Sequence, residues 1–145
     1  MSRTLALIAR MRGLAVAEAR RTLAERRVLQ DQAEAAESHA TAQLVEEAAA
    51  AARMDTNDGA VEAFAAWLPE GRRAQIAARQ ALDHAQAATA QALTRLTLAR
   101  AAEAAAEALI AAKAEEARRE ALKREQAVLD EIAMQRHPVV RRPHR

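Results

Sequence analysis

Larger apolar residues recur along this chain at helical spacing in two long stretches, with a single cluster of turn-forming residues between them. In the first stretch they are Leu5, Leu7, Ile8, Met11, Leu14, Val16, Leu23, Val28, Leu29, Leu44 and Val45, with alanine filling the gaps. This spacing predicts a helix over about 3–53. Gly13 falls inside it at a cost of roughly 1 kcal/mol against alanine, which a long packed helix absorbs, so it is read as a tolerated residue and not as a hinge. The helix is expected to stop at Met54-Asp55-Thr56-Asn57-Asp58-Gly59, because Asx side chains bond the local backbone and glycine accepts turn geometry. Asp55 or Asp58 then caps a second helix over about 60–136.

The second stretch opens with Val61, Phe64, Trp67 and Leu68, and Pro69 follows at once. A proline inside a helix removes one hydrogen bond and crowds the preceding turn, so a kink or short break is expected near Pro69. Beyond it Leu68, Leu82, Leu96 and Ile110 recur at every second heptad, and Ala78, Ala85, Ala92, Ala99 and Ala106 hold the companion core position. A large residue alternating with alanine lets two helices approach closely. After Ile110 the pattern breaks and resumes out of phase as Leu122, Leu129 and Ile132. Pro138 ends the helix and leaves a basic tail over 137–145.

These elements predict an all-α fold: a two-helix antiparallel coiled-coil hairpin with a longer, overhanging second helix, forming one rod-like domain over 1–145. Charge favours that pairing. Val28 to Ala52 carries Asp31, Glu34, Glu37, Glu46 and Glu47 with no base, whereas Arg72 to Arg100 carries five arginines against Asp83 alone. Arg-rich 3–27 would face Glu103, Glu107, Glu115 and Glu116. Each exposed pair contributes only a few tenths of a kcal/mol, but together they select the antiparallel hairpin. At 1.5 Å per residue the helices span roughly 75 and 115 Å, which brings Arg3 near Ile110 and leaves the rest of helix two without an intramolecular partner. An amphipathic helix of this length is marginal alone in water, which predicts a partner in another protein.

Composition agrees with a coiled coil. The 145 residues hold one Trp, one Phe, no Tyr and no Cys, and roughly a third are alanine, too little bulky apolar volume for a globular core. Lack of cysteine excludes disulfides and thiolate zinc sites. No run approaches the roughly eighteen apolar residues of a membrane span, and the N-terminus lacks the pattern of a signal peptide, so a cytoplasmic protein is expected. Net charge is only +2. Nucleic-acid binding by 136–145 is a weak reading, because the tail is short and has no stacking aromatics.

The four histidines suggest little chemistry. His39 and His84 would fall opposite each other if the turn were a loose one, yet two ligands without a carboxylate cluster make a poor metal site, and none is expected. His137 and His144 lie in the tail. There is no phosphate-binding glycine loop, no nucleophile and base pair, and no pair of catalytic carboxylates, so neither enzymatic activity nor a cofactor is expected. Arg118, Arg119, Lys123 and Arg124 interleave with Glu115, Glu116, Glu120 and Glu125, which reads first as a solvated helix with i,i+4 pairs.

Three stretches carry a resemblance. Leu5-x-Leu-Ile-x-x-Met-Arg followed by Glu18-Ala-Arg-Arg, the central Ala63-Phe-Ala-Ala-Trp-Leu-Pro, and Arg118-Arg-Glu-Ala-Leu-Lys-Arg-Glu-Gln-x-x-Leu-Asp-Glu are similar to the FliJ/YscO family, the stalk proteins of flagellar and type III secretion export, in an alphaproteobacterial FliJ-like form. The resemblance covers nearly the whole chain and implies a chaperone-like central stalk, monomeric when free, that touches the membrane only through partners. It implies that Leu5, Ile8, Met11 and Arg12, with Arg118, Arg119, Leu122, Lys123, Leu129 and Ile132, enter the hexameric export ATPase ring. Phe64, Trp67 and Leu68 would meet the membrane-embedded export gate. Poverty in glutamine and aromatic residues separates this chain from the family pattern, chiefly at the gate contacts. The alternative is a structural coiled-coil scaffold or adaptor, dimeric through the C-terminal helix. Phe64 and Trp67 would then only pack against Leu44 and Val45.

Overall fold

A computed structural model describes residues 3–53 and 58–136. It contains two α-helices, α1 (Arg3–Arg53, 51 residues) and α2 (Asp58–Arg136, 79 residues), packed as an antiparallel hairpin. Gln75 meets Thr41, Thr89 meets Arg26, and Glu103 lies beside Gly13, so partner numbers fall along α1 as they rise along α2. This register agrees with the expected one to within about three residues. The turn expected over 54–59 lies outside the described residues at 54–57, whereas Asp58 and Gly59 already belong to α2. The basic tail over 137–145 also lies outside the described residues.

Of the kink or short break expected near Pro69, the break is absent, because α2 runs through Pro69 as one helix. Proline leaves the carbonyl four residues earlier without its amide partner. That carbonyl belongs to Ala65, and both Ala65 and Pro69 are exposed, so water can take the missing donor's place. α1 likewise continues through Gly13.

Two compact units divide the chain, residues 14–101 and residues 1–13 with 102–145. In the first, Val16 and Leu23 of α1 pack with Ala92 and Leu96 of α2, and Ala19 and Ala99 lie against them. Leu82 is buried as well. With α1 written as heptads in which Val16 and Leu23 are position a, the covered residues follow a and d: Ala33, Glu37, Ala40 and Leu44 on α1, and Gln75, Ala78, Leu82, Ala85, Thr89, Ala92, Leu96 and Ala99 on α2. Leucine therefore alternates with Gln75 and Thr89 at position a of α2. Both polar residues are satisfied: Gln75 Nε2 donates to Thr41 Oγ1 at 3.2 Å, and Thr41 donates to Glu37 Oε1 at 3.5 Å. The Thr89 hydroxyl lies 3.0 Å from the Ala85 carbonyl and 3.3 Å from the Arg26 carbonyl across the seam. Polar groups that bond at one alignment only penalise every other alignment, so they help to fix register.

Cross-helix ion pairs, expected from the charge segments, do not form among the described residues. All five ion pairs join residues three or four apart on α2, from Arg79 with Asp83 to Lys123 with Glu120. Most of the charged side chains stand outside the a and d positions, where water screens them and their own helix supplies the nearer partner. Register here rests on apolar packing and the seam's polar bonds.

Candidate functional site

The candidate site is the segment of α2 beyond the reach of α1. In the unit that contains it, Leu5, Ala9 and Gly13 of α1 are half-buried, as are Glu103, Ala106 and Ile110 of α2. From Lys113 to Arg136 every residue except Glu115 is exposed. Continued past Ile110, the seam positions become Lys113, Ala117, Glu120, Arg124, Ala127 and Glu131. Charged residues and alanine replace leucine where the intramolecular partner runs out. Leu122 and Leu129 fall on the opposite side of the helix, with Ile132 beside them, at 56%, 65% and 43% exposure. The phase break read in the sequence thus turns the apolar stripe away from the seam.

Ion pairs belt the start of this segment. Lys113 Nζ meets Glu116 Oε2 at 2.9 Å, Glu115 accepts from Arg118 at 3.2 Å and Arg119 at 3.0 Å, and Lys123 Nζ meets Glu120 Oε1 at 3.1 Å. The hydrogen bond and positive charge of Lys113 hold the Glu116 carboxyl below the usual glutamate range. These are the i,i+3 and i,i+4 contacts of a solvated helix, so Arg118, Arg119 and Lys123 already have local carboxylate partners. Arg124 has no ion pair among the described residues. A shallow groove of about 460 Å³ lies along Arg124, Glu125, Val128 and Leu129.

The residues assigned to the ring do not converge. Leu5 lies in the seam, half-buried, and Arg12, also at a d position, is exposed. Ile8 is 40% exposed and Met11 60%. Leu5 stands near the level of Ile110, so Leu122 lies roughly 18 Å further along α2. What these residues share is exposure at the same unit, Leu5 excepted.

Phe64, Trp67 and Leu68, assigned to the gate, are all half-buried. Their rings are tilted by 35° with centroids 6.2 Å apart. Trp67 lies over Gly71 close to Leu44, the packing partner expected, whereas Val45 is exposed. A groove of about 370 Å³ keeps one edge of the pair open, lined by Glu47, Ala50, Ala51, Ala60, Ala63, Phe64 and Trp67. Glycine at 71 is what admits the indole, a signal the seven-residue spacing of position d held but the sequence reading did not use.

His39 and His84 do not meet. The register places His84 closer to Asp31 than to His39, and both histidines are exposed. Among the described residues no group of three or more His, Asp or Glu could hold a metal ion. No helix among the described residues is long and apolar enough to cross a membrane.

No protein-family model, curated protein or solved structure matches the chain.

Proposed function

We propose that this protein is a cytoplasmic stalk, without enzymatic activity, that couples a ring-shaped export ATPase to a membrane-bound export gate. One observation carries the reading: Leu122, Leu129 and Ile132 form an exposed stripe on the side of α2 away from the seam, where the seam positions hold charged residues and alanine in place of leucine. Among the described residues such a helix has nothing of its own chain to bury against, and most helical stability in proteins comes from packing of an amphipathic face. A surrounding protein wall supplies the missing burial. Its contacts are Leu122, Leu129 and Ile132, with Arg124 available for a carboxylate and Met11 on the exposed side of α1. The similarity of the three sequence stretches to the FliJ/YscO stalks supplies the identity of the ring and of the gate, which would meet the open edge of Phe64 and Trp67.

The test is to add the purified full chain to the export ATPase of the same cell. A rise in hydrolysis or hexamer formation, lost on Leu122→Asp or Leu129→Asp, is expected. No rise and no co-purification would sink the proposal. A stable dimer abolished by the same substitutions would instead favour the scaffold reading.

A further inference from the structure

Within residues 14–101, the two edges of the helix pair differ in chemistry. A groove of about 280 Å³ on one edge is lined by Ala15, Thr22 and Arg95 together with Ala19, Ala92 and Ala99 of the seam and Glu18. Ala15, Thr22 and Arg95 are all at heptad position g, so the g positions of both helices share this edge. The e positions of both helices therefore share the other. There Arg20 and Arg27 of α1 and Arg100 of α2 frame Leu93, which is 49% exposed. The outward neighbours of Arg20 and Leu93 are Ala17, Ala24, Ala90 and Thr97; Asp31 follows Arg27 by four residues and Glu103 follows Arg100 by three, yet neither acid makes an ion pair among the described residues.

Among the described residues Arg20, Arg27 and Arg100 make no ion pair. Arg79, further along the same edge, is paired with Asp83 at 3.5 Å. Each guanidinium carries five donors. Arg20 and Arg27 are one heptad apart, roughly 10.5 Å, the spacing at which a facing helix repeats its side chains.

We propose that this edge is a docking surface for an acidic amphipathic helix of another protein. The partner lays a leucine or isoleucine on Leu93 and presents carboxylates at heptad spacing to Arg20, Arg27 and Arg100. Charge complementarity decides the occupant, and Leu93 decides its class: a phosphate backbone satisfies arginines but gains nothing from a half-exposed leucine at their centre. This surface is independent of the stalk reading, which concerns residues 113–136.

A fluorescent helical peptide of about four heptads, with a leucine core and glutamates on both flanks, probes the surface of the full chain. Its glutamine counterpart and a short DNA duplex are the comparisons. The glutamate peptide is expected to bind about tenfold more tightly than the glutamine peptide, with the advantage shrinking as salt rises. The triple variant Arg20→Gln, Arg27→Gln, Arg100→Gln should erase that difference, and Leu93→Gln should weaken the glutamate peptide severalfold, with helix content and melting unchanged. Failure of the glutamate peptide to bind, equal binding of the two peptides, unchanged affinity in the triple variant, or tighter binding of the duplex would each overturn the proposal.

Discussion

The indole of Trp67 lies across the backbone of Gly71, so closely that a methyl group on Gly71 would stand 2.6 Å from its Cη2 and 2.8 Å from its Cζ3. Leu44 Cδ2 closes the same space at 2.9 Å. Gly71 is a buried d-position residue whose missing side chain makes room for a ring one turn earlier. Gly71→Ala is therefore expected to lower stability by about 1–3 kcal/mol, because ring or backbone must shift. Thermal melting and the emission of the single tryptophan would read it.

Gly13→Ala should act in the opposite sense. The nearest atom to an added methyl is Glu103 Oε1 at 3.4 Å, the end of a flexible side chain. Alanine removes the helix-interior cost of glycine, so a gain of up to about 1 kcal/mol is expected in the same melting experiment.

Leu96→Ala and Leu129→Ala separate the seam from the exposed segment. Leu96 is 4% exposed and Leu129 is 65%. The first should cost about 2–4 kcal/mol and the second stay within about 0.5 kcal/mol in the free protein. Equal losses would mean that Leu129 is covered in solution.

Glu116 titrates below the usual glutamate range because Lys113 donates a hydrogen bond to it and adds a positive charge. A carboxylate depressed in the folded state contributes above its unfolded pKa, and that contribution is lost as pH falls through the folded value. Lys113→Met should return the Glu116 midpoint, followed by NMR, to the ordinary range.

Much of this fold was legible because the seam repeats. Leu82 and Leu96 with Ala92 stand buried as the two-heptad alternation required, and Leu68 and Ile110 half-buried. Three matters were not legible. Continuity through Pro69 depends on whether the Ala65 carbonyl faces water, which residue type alone does not state. Cross-helix ion pairs were expected from segment charge, but a segment sum ignores position around the helix, and the described pairs formed along α2 instead. Gln75 and Thr89, polar residues at the core positions between the leucines, went unread in the leucine–alanine alternation and are bonded parts of the seam. In the candidate site, the phase break after Ile110 was visible in the sequence. Its consequence, an apolar stripe turned away from the seam, required the register that fixes where the seam lies.

Hydrogen exchange of the full chain, alone and with the export ATPase, tests the central claim most directly. Amides of residues 113–136 should exchange quickly in the free protein, far faster than those around Val16 and Leu96, and gain protection when the ATPase is present. Slow exchange of 113–136 in the free protein, or no gain with the ATPase, would contradict the claim that this segment is an unpartnered helix built for that ring.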